Sequence, residues 1–138
     1  MKKFKSKTDF ISFSILWGIP VVVTLFLLYS FDTVKDAVIP IAIFWLLNSL
    51  TIWIYFSTYY KFTNDEIIVK SGPIRRNIPY QSISSVRKTK SLIASPALSI
   101  LDRIEIVYSN GSVIISPKDK KDFVNMLKSK NPNISSDI

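Results

Sequence analysis

The chain divides by the spacing of its apolar positions. Residues 10–31 are 22 consecutive residues without a charge, and residues 37–60 are another 24. At a helical rise of about 1.5 Å per residue the shorter stretch reaches roughly 33 Å, enough for a hydrocarbon layer of about 30 Å. The pattern predicts two transmembrane helices, at about 10–31 and 37–58, joined by the polar tip Asp32, Thr33, Val34, Lys35 and Asp36. Pro20 and Pro40 fall inside them as kinks or helix starts, because membrane helices tolerate proline.

Beyond residue 58 the period shortens to two. Tyr60-Lys61-Phe62-Thr63 alternates, Asn64-Asp65 offers a turn, and residues 66–70 are a β-rich run broken by Gly72-Pro73. Strands are expected at 74–78 and 83–89 on either side of Pro79-Tyr80, and a loop at 91–98 containing Ser95-Pro96. Ile104, Ile106 and Tyr108 share one strand face, Asn110-Gly111 signals a type I′ hairpin, and residues 112–116 form the returning strand. A last helix is predicted with Ser116 as cap, Pro117 at its first position, Asp119 as the acid of a capping box, and Phe123, Met126 and Leu127 as its apolar stripe. The expected organisation is a membrane anchor at 1–58, a β-rich domain at 59–130 and a flexible, frayed tail at 131–138. With under 80 residues the β domain has a small core, which tethering to the membrane helps to hold.

Charge then sets orientation. Lys2, Lys3, Lys5 and Lys7 precede the first span, Lys35 alone sits in the tip, and thirteen of the eighteen Lys and Arg residues follow from Lys61 onward. Basic residues are retained on the cytoplasmic side, so the expectation is a multi-pass cell-membrane protein with both termini cytoplasmic. A cleaved signal peptide fits poorly, because the apolar stretch exceeds the usual ~7–15 residues and no Ala-x-Ala-like site follows it.

The absence of histidine and cysteine removes imidazole bases, thiolate nucleophiles, Cys/His zinc sites and disulfides together. Asp65, Glu66, Asp102, Glu105, Asp119 and Asp122 show no metal-loop spacing, and the three glycines Gly18, Gly72 and Gly111 form no phosphate loop. The reading is a non-enzymatic protein without cofactor or metal. The spans hold no Asp, Glu, Lys or Arg, so transport by this chain alone is not expected. Asn48 is expected to be satisfied by its own helix or the neighbouring span, with a bond across a homodimer as the alternative.

The order of Tyr60-Lys61-Phe62-Thr63, Gly72-Pro73, Pro79-Tyr80, Ser95-Pro96-Ala97-Leu98-Ser99, Asp102-Arg103-Ile104-Glu105-Ile106 and Ser116-Pro117 before Phe123 resembles a family of small bacterial PH-like domains. That family includes YyaB-like proteins and the sublancin-type bacteriocin immunity protein. The resemblance implies an α+β membrane protein in which a two-helix transmembrane hairpin leads into a PH-like antiparallel β-barrel with a C-terminal helix. It also implies self-protection against a bacteriocin, by binding the peptide or shielding a membrane partner. A membrane scaffold or a lipid- or protein-binding module is the alternative. Many PH domains bind phosphoinositides through a basic loop between their first two strands; here Asn64-Asp65-Glu66 stands there, so inositol-lipid specificity is not implied.

Basic residues outline a candidate surface. Arg75, Arg76, Arg87, Lys88 and Lys90, with Lys118, Lys120 and Lys121, belong to a tail with 13 basic and 7 acidic residues. Docking on anionic lipid and an ordinary solvated face are both compatible with that excess. Arg103, beside Asp102 and Glu105, is read as a local ion pair or an anion ligand. The motif residues Gly72, Pro73, Pro79, Tyr80, Ser95, Pro96, Ala97, Leu98, Ser99, Ser116 and Pro117 are read mainly as turn and packing positions. Expected partners are membrane lipids, a bacteriocin peptide or membrane protein, and a second copy of the chain. Nucleic acid is not expected, since no recognisable binding module is present.

Overall fold

The computed structural model describes residues 2–91 and 97–138. Two apolar helices, α1 (Phe10–Ser30) and α2 (Val34–Phe56), form a hairpin. Both are long and apolar enough to cross a membrane, with mean hydropathy 2.3 and 2.0, and only 11% and 6% of those windows are buried within the protein. The connection is shorter than the polar tip implied. Thr33 caps α2, its hydroxyl accepting from the Asp36 N–H and donating to the Asp36 carboxylate, so the helix begins three residues before Ala37. Asp36 also sits well against the positive end of the helix. At the other end α2 stops at Phe56, before the expected residue 58, and the Thr58 hydroxyl donates back to the Ile54 carbonyl.

The β domain begins before the helices. Strand β1 (Lys3–Lys5) pairs antiparallel with β2 (Tyr59–Phe62), in the register Lys3↔Lys61, Phe4↔Tyr60 and Lys5↔Tyr59. The helical hairpin therefore occupies the place of the loop between two paired strands. Sequence reading treated residues 1–9 as a charged flank of the anchor, and this strand corrects the boundary. Lys-Phe-Lys has the alternation of a strand, with Phe4 buried against Phe62 and Phe123 at ring separations of 5.4 Å each. As a result the 64–66 turn connects the second and third strands rather than the first two.

β2 continues into β3 (Glu66–Ser71) and β4 (Ile74–Pro79), completing a sheet of order β1-β2-β3-β4. A 3₁₀ turn at Tyr80–Ser82 carries the chain into a second sheet, in which β5 (Ile83–Thr89), β6 (Arg103–Tyr108) and β7 (Gly111–Ile115) are antiparallel. The β6–β7 hairpin lies where Asn110-Gly111 placed it, but its turn is not type I′. That turn needs positive φ at both central residues, and among the described residues only Gly72 and Gly111 have positive φ. Ser109 and Asn110 make the turn, and Gly111, at φ +138°, opens β7.

Helix α3 (Lys120–Lys130) buries Phe123, Val124 and Leu127 on the core, with Met126 packed beside them. It starts later than a Ser116 cap requires. Ser116 is instead buried in a cluster with Ser6 and Tyr60, and Asp119 holds the cap position without a side-chain capping bond. The C-terminal residues pack against the core. Ile134 is buried, β8 (Ser135–Ser136) runs parallel to β5, and Ile138 packs on the core, because two apolar side chains give the segment something to bury.

The N-terminal segment touches both sheets. After β1, the Lys7 N–H donates to the Ser116 carbonyl at 2.6 Å and the Lys118 N–H to the Lys5 carbonyl at 3.1 Å. The Tyr60 hydroxyl donates to Ser6 Oγ at 3.0 Å and accepts from the Ser116 N–H at 3.1 Å. Burial raises the Tyr60 phenol above its ordinary value of 10.0, against the opposing hydrogen bonds from Ser116 and Ser6.

Candidate functional site

The chain enters and leaves the helical hairpin through a small polar joint. Asp9, at the cap position of α1, accepts three bonds on one carboxylate oxygen: from Ser99 Oγ at 2.6 Å, the Ile100 N–H at 2.8 Å and the Leu101 N–H at 3.0 Å. Burial alone raises its pKa, but these bonds outweigh burial and hold the carboxyl below 3.8. Ser99 also donates its N–H to Ser116 Oγ, and the Leu98 N–H reaches Ser6 Oγ. On the α2 side the β3–β4 turn presses against the helix end. Gly72 adopts φ +56°, and a Cβ there lies 2.6 Å from Ile54 Cγ1. Thr58 Oγ1 and Ser71 Oγ share a hydrogen bond of 3.0 Å beside it.

The motif residues thus acquire places. Gly72 seats the β3–β4 turn on α2, with Pro73 exposed beside it, and Leu98, Ser99, Ser116 and Pro117 bond within the joint on the α1 side, next to the buried Ala97. Tyr80 anchors the corner between the sheets, donating to the Thr63 carbonyl while its own carbonyl accepts from Asn131 Nδ2. Pro79 ends β4 immediately before that corner. Ser95 and Pro96 lie outside the described residues.

Next to the joint is a cleft of about 450 Å³ lined by Lys88, Lys90, Lys120 and Lys121 together with Leu101 and Asp102. Its charged side chains are these four lysines, Arg103 and Asp102. Asp102 is already engaged by Lys7 Nζ at 2.8 Å and by Lys120. The Lys120 ammonium is pushed below 10.5, first by burial and then by the nearby charges of Lys7 and Lys88. Lysines in the first turn of α3 also oppose the helix dipole, which favours anions at that end. An anion entering the cleft relieves both the crowding and the dipole mismatch.

This geometry divides the basic residues that sequence grouped together. Lys88 and Lys90 join the cleft, whereas Arg87 pairs across strands with Glu105 at 2.8 Å. Bonds from Ser112 and then Arg87 lower the Glu105 carboxyl below 4.5. Arg75 and Arg76 lie exposed on β4 in the other sheet, with Arg75 Nε donating to Asn77 Oδ1. Arg103 is buried, and its guanidinium donates to the Ser99 carbonyl at 2.6 Å and the Ser91 carbonyl at 2.9 Å. It ties together the two sides of the β5–β6 connection, while the carboxylates expected to pair with it hold Lys7, Lys120 and Arg87. Sequence reasoning missed Phe4, Ser6, Lys7 and Asp9. Only Phe4 carried a signal, the alternation of its lysine neighbours.

The bacterial PH domain family model matches residues 58–131, just over half the chain, and the protein belongs to that family. The matched segment holds β2 to β7 and α3, while β1 and both helices lie outside it. The chain is similar to the uncharacterized protein YyaB of Bacillus subtilis (strain 168), 36% identical over 92 residues that cover 64% of this chain and 63% of YyaB. It therefore spans about 63% of the length of that relative. Neither description names a ligand, a partner or an activity.

Proposed function

We propose that this protein is a membrane-anchored, non-enzymatic PH-like module that holds the phosphate of an anionic lipid headgroup in the lysine cleft beside its helices. The observation that carries the proposal is the position of that cleft. Leu101 lines it and donates its N–H to Asp9, and Lys7, three residues before α1, is bonded to Asp102 at its edge. In a bilayer the headgroup layer lies where α1 begins, so the cleft sits at phosphate level. Because β1 and β2 pair on either side of the hairpin, both helices leave the β domain from one end. On this reading the 31–33 turn crosses to the far side, and the lysine-rich β domain and both termini stay in the cytoplasm. The N-terminal segment, bonded to both sheets, supports a closed PH-like barrel completed by β1.

The test uses the full chain in a neutral detergent. Short-chain phosphatidylglycerol raises its unfolding temperature by a few degrees, less so at high salt, whereas short-chain phosphatidylcholine does not. Replacing Lys88, Lys90 and Lys121 with Gln removes the rise, and replacing Arg75 and Arg76 leaves it. A rise that survives the cleft substitutions overturns the assignment. Since Lys120 holds its proton less tightly than an ordinary lysine, lipid binding weakens as pH rises through its lowered pKa.

Bacteriocin immunity is a finer form of this proposal and stands on the family resemblance alone. Expression in a sensitive strain, with survival measured against a bacteriocin panel, tests it. Equal killing of expressing and non-expressing cells leaves the lipid-binding module without that role.

A further inference from the structure

The two helices leave a groove of about 440 Å³ between them on the side of the β domain, walled at its mouth by Ala97, Leu98 and Ile100. Most of its length is apolar. Four polar side chains nevertheless line it, Ser12, Asn48, Thr51 and Tyr55, and three of them have a buried atom without a hydrogen-bond partner among the described residues: Ser12 Oγ, Asn48 Nδ2 and Tyr55 OH. Sequence reading expected Asn48 to be satisfied locally. The bond between the helices runs instead from Trp45 Nε1 to Thr24 Oγ1, at 3.0 Å.

We infer that a second copy of this chain docks in this groove, its Asn48 pairing with the first. The inference rests on the transmembrane reading proposed above. Ser12 is the third residue of α1 and Tyr55 the last but one of α2, so these two share a level near the β domain. Asn48 lies eight residues before the end of α2, about 12 Å deeper at 1.5 Å per residue. A lipid offers acceptors at the ester level but only methylenes at the depth of Asn48, and water does not reach there. A second copy in the same membrane has the same orientation. A two-fold axis along the membrane normal brings each residue opposite its counterpart at equal depth. An amide both donates and accepts, so a turn about the Asn48 side chain toward the groove lets two copies bond reciprocally. Serine and tyrosine hydroxyls are self-complementary in the same way. Polar pairs of this kind hold membrane helices together where hydrophobic burial gives no preference.

The chain has no cysteine, so single cysteines report the contact without a background. In washed native membranes, oxidation of the full-length Thr51→Cys or Phe44→Cys variant gives a disulfide-linked dimer. Leu46→Cys, 72% exposed and outside the groove lining, does not. Adding Asn48→Leu to Thr51→Cys cuts the cross-linked fraction about fivefold, the scale of one interhelical polar pair, and Asn48→Gln keeps most of it. Retention in carbonate-washed membranes without a dimer overturns the inference and leaves the anchor standing. Release by carbonate overturns both. Cross-links only to a protein of another mass make the occupant a different membrane helix and overturn the second copy. A yield unchanged by Asn48→Leu removes Asn48 from the contact.

Discussion

The helical hairpin and the β domain place their polar and apolar groups in opposite ways. In the β domain Phe123, Ile106 and Ile104 are fully buried, and the buried hydroxyls of Ser6, Tyr60, Ser99 and Ser116 bond one another, nearby backbone or the Asp9 carboxylate. In the hairpin Leu46 and Phe26 are 72% and 65% exposed, while Ser12, Trp17, Asn48 and Tyr55 carry buried polar atoms without partners among the described residues. One region is arranged for water outside and a dry core. The other presents apolar side chains all round, which is stable only against lipid or another apolar helix. What makes them one molecule is a strand and a joint of a few residues, Phe4 to Asp9, contributed by chain that precedes the helices.

The sharpest way to break the contrast is to truncate one large side chain in each region. Phe4→Ala removes an aromatic ring from the centre of the β core and is expected to cost about 3–5 kcal/mol, a large part of the stability of a small domain. Leu46→Ala, on the exposed face of α2, changes β-domain stability by less than about 0.5 kcal/mol. Denaturant unfolding of the full chain, followed by hydrogen exchange at the β2 amides, measures both. Equal effects refute the role given to β1.

A smaller effect tests the seat of the β3–β4 turn on α2. Gly72→Ala places a side chain at φ +56° and against Ile54, for an expected cost of about 1–2 kcal/mol. Adding Ile54→Ala removes the contact at 2.6 Å but not the backbone strain, so it restores only part of the loss. Full restoration shows that the close approach alone required glycine.

The smallest effect concerns the joint at α1. With its pKa held below 3.8, Asp9 stabilises the fold fully above the ordinary carboxylate range, and that contribution disappears as pH falls through its lowered folded value. Asp9→Asn is expected to lose about 1 kcal/mol at neutral pH, a charge-assisted hydrogen-bond contribution discounted for partial exposure. It also flattens the acid limb of the stability profile, which unfolding curves from pH 6 down to about 2 read directly. An unchanged acid limb assigns the pH dependence to another carboxylate.

The parts legible in the sequence were those written in local spacing. The two apolar spans, the strands from residue 66 to residue 115, the Gly72 turn and the Phe123 face of α3 all follow from neighbours a few residues apart. The joint was not legible, because its partners are distant: Ser6 meets Ser116 across 110 positions, Asp9 meets Ser99 across 90, and Tyr60 meets Ser6 across 54. Lys7 looked like one more charge flanking a span, and only the fold shows it against Asp102. Ser116 had a sound local reading as a helix cap, but burial against Ser6 and Tyr60 satisfied it first.

On the proposed reading a membrane hairpin is inserted between two paired strands, so that both chain termini and the β domain share one side of the membrane. Single cysteines at Lys2, Asp32 and Asn110, placed in the otherwise cysteine-free chain and treated with a membrane-impermeant maleimide, test it directly. In intact cells only Asp32→Cys is expected to label, and Lys2→Cys and Asn110→Cys label after the membrane is opened. Labelling of Lys2→Cys and Asn110→Cys from opposite sides contradicts the β1–β2 pairing across the hairpin, and labelling of all three in intact cells contradicts the membrane span itself.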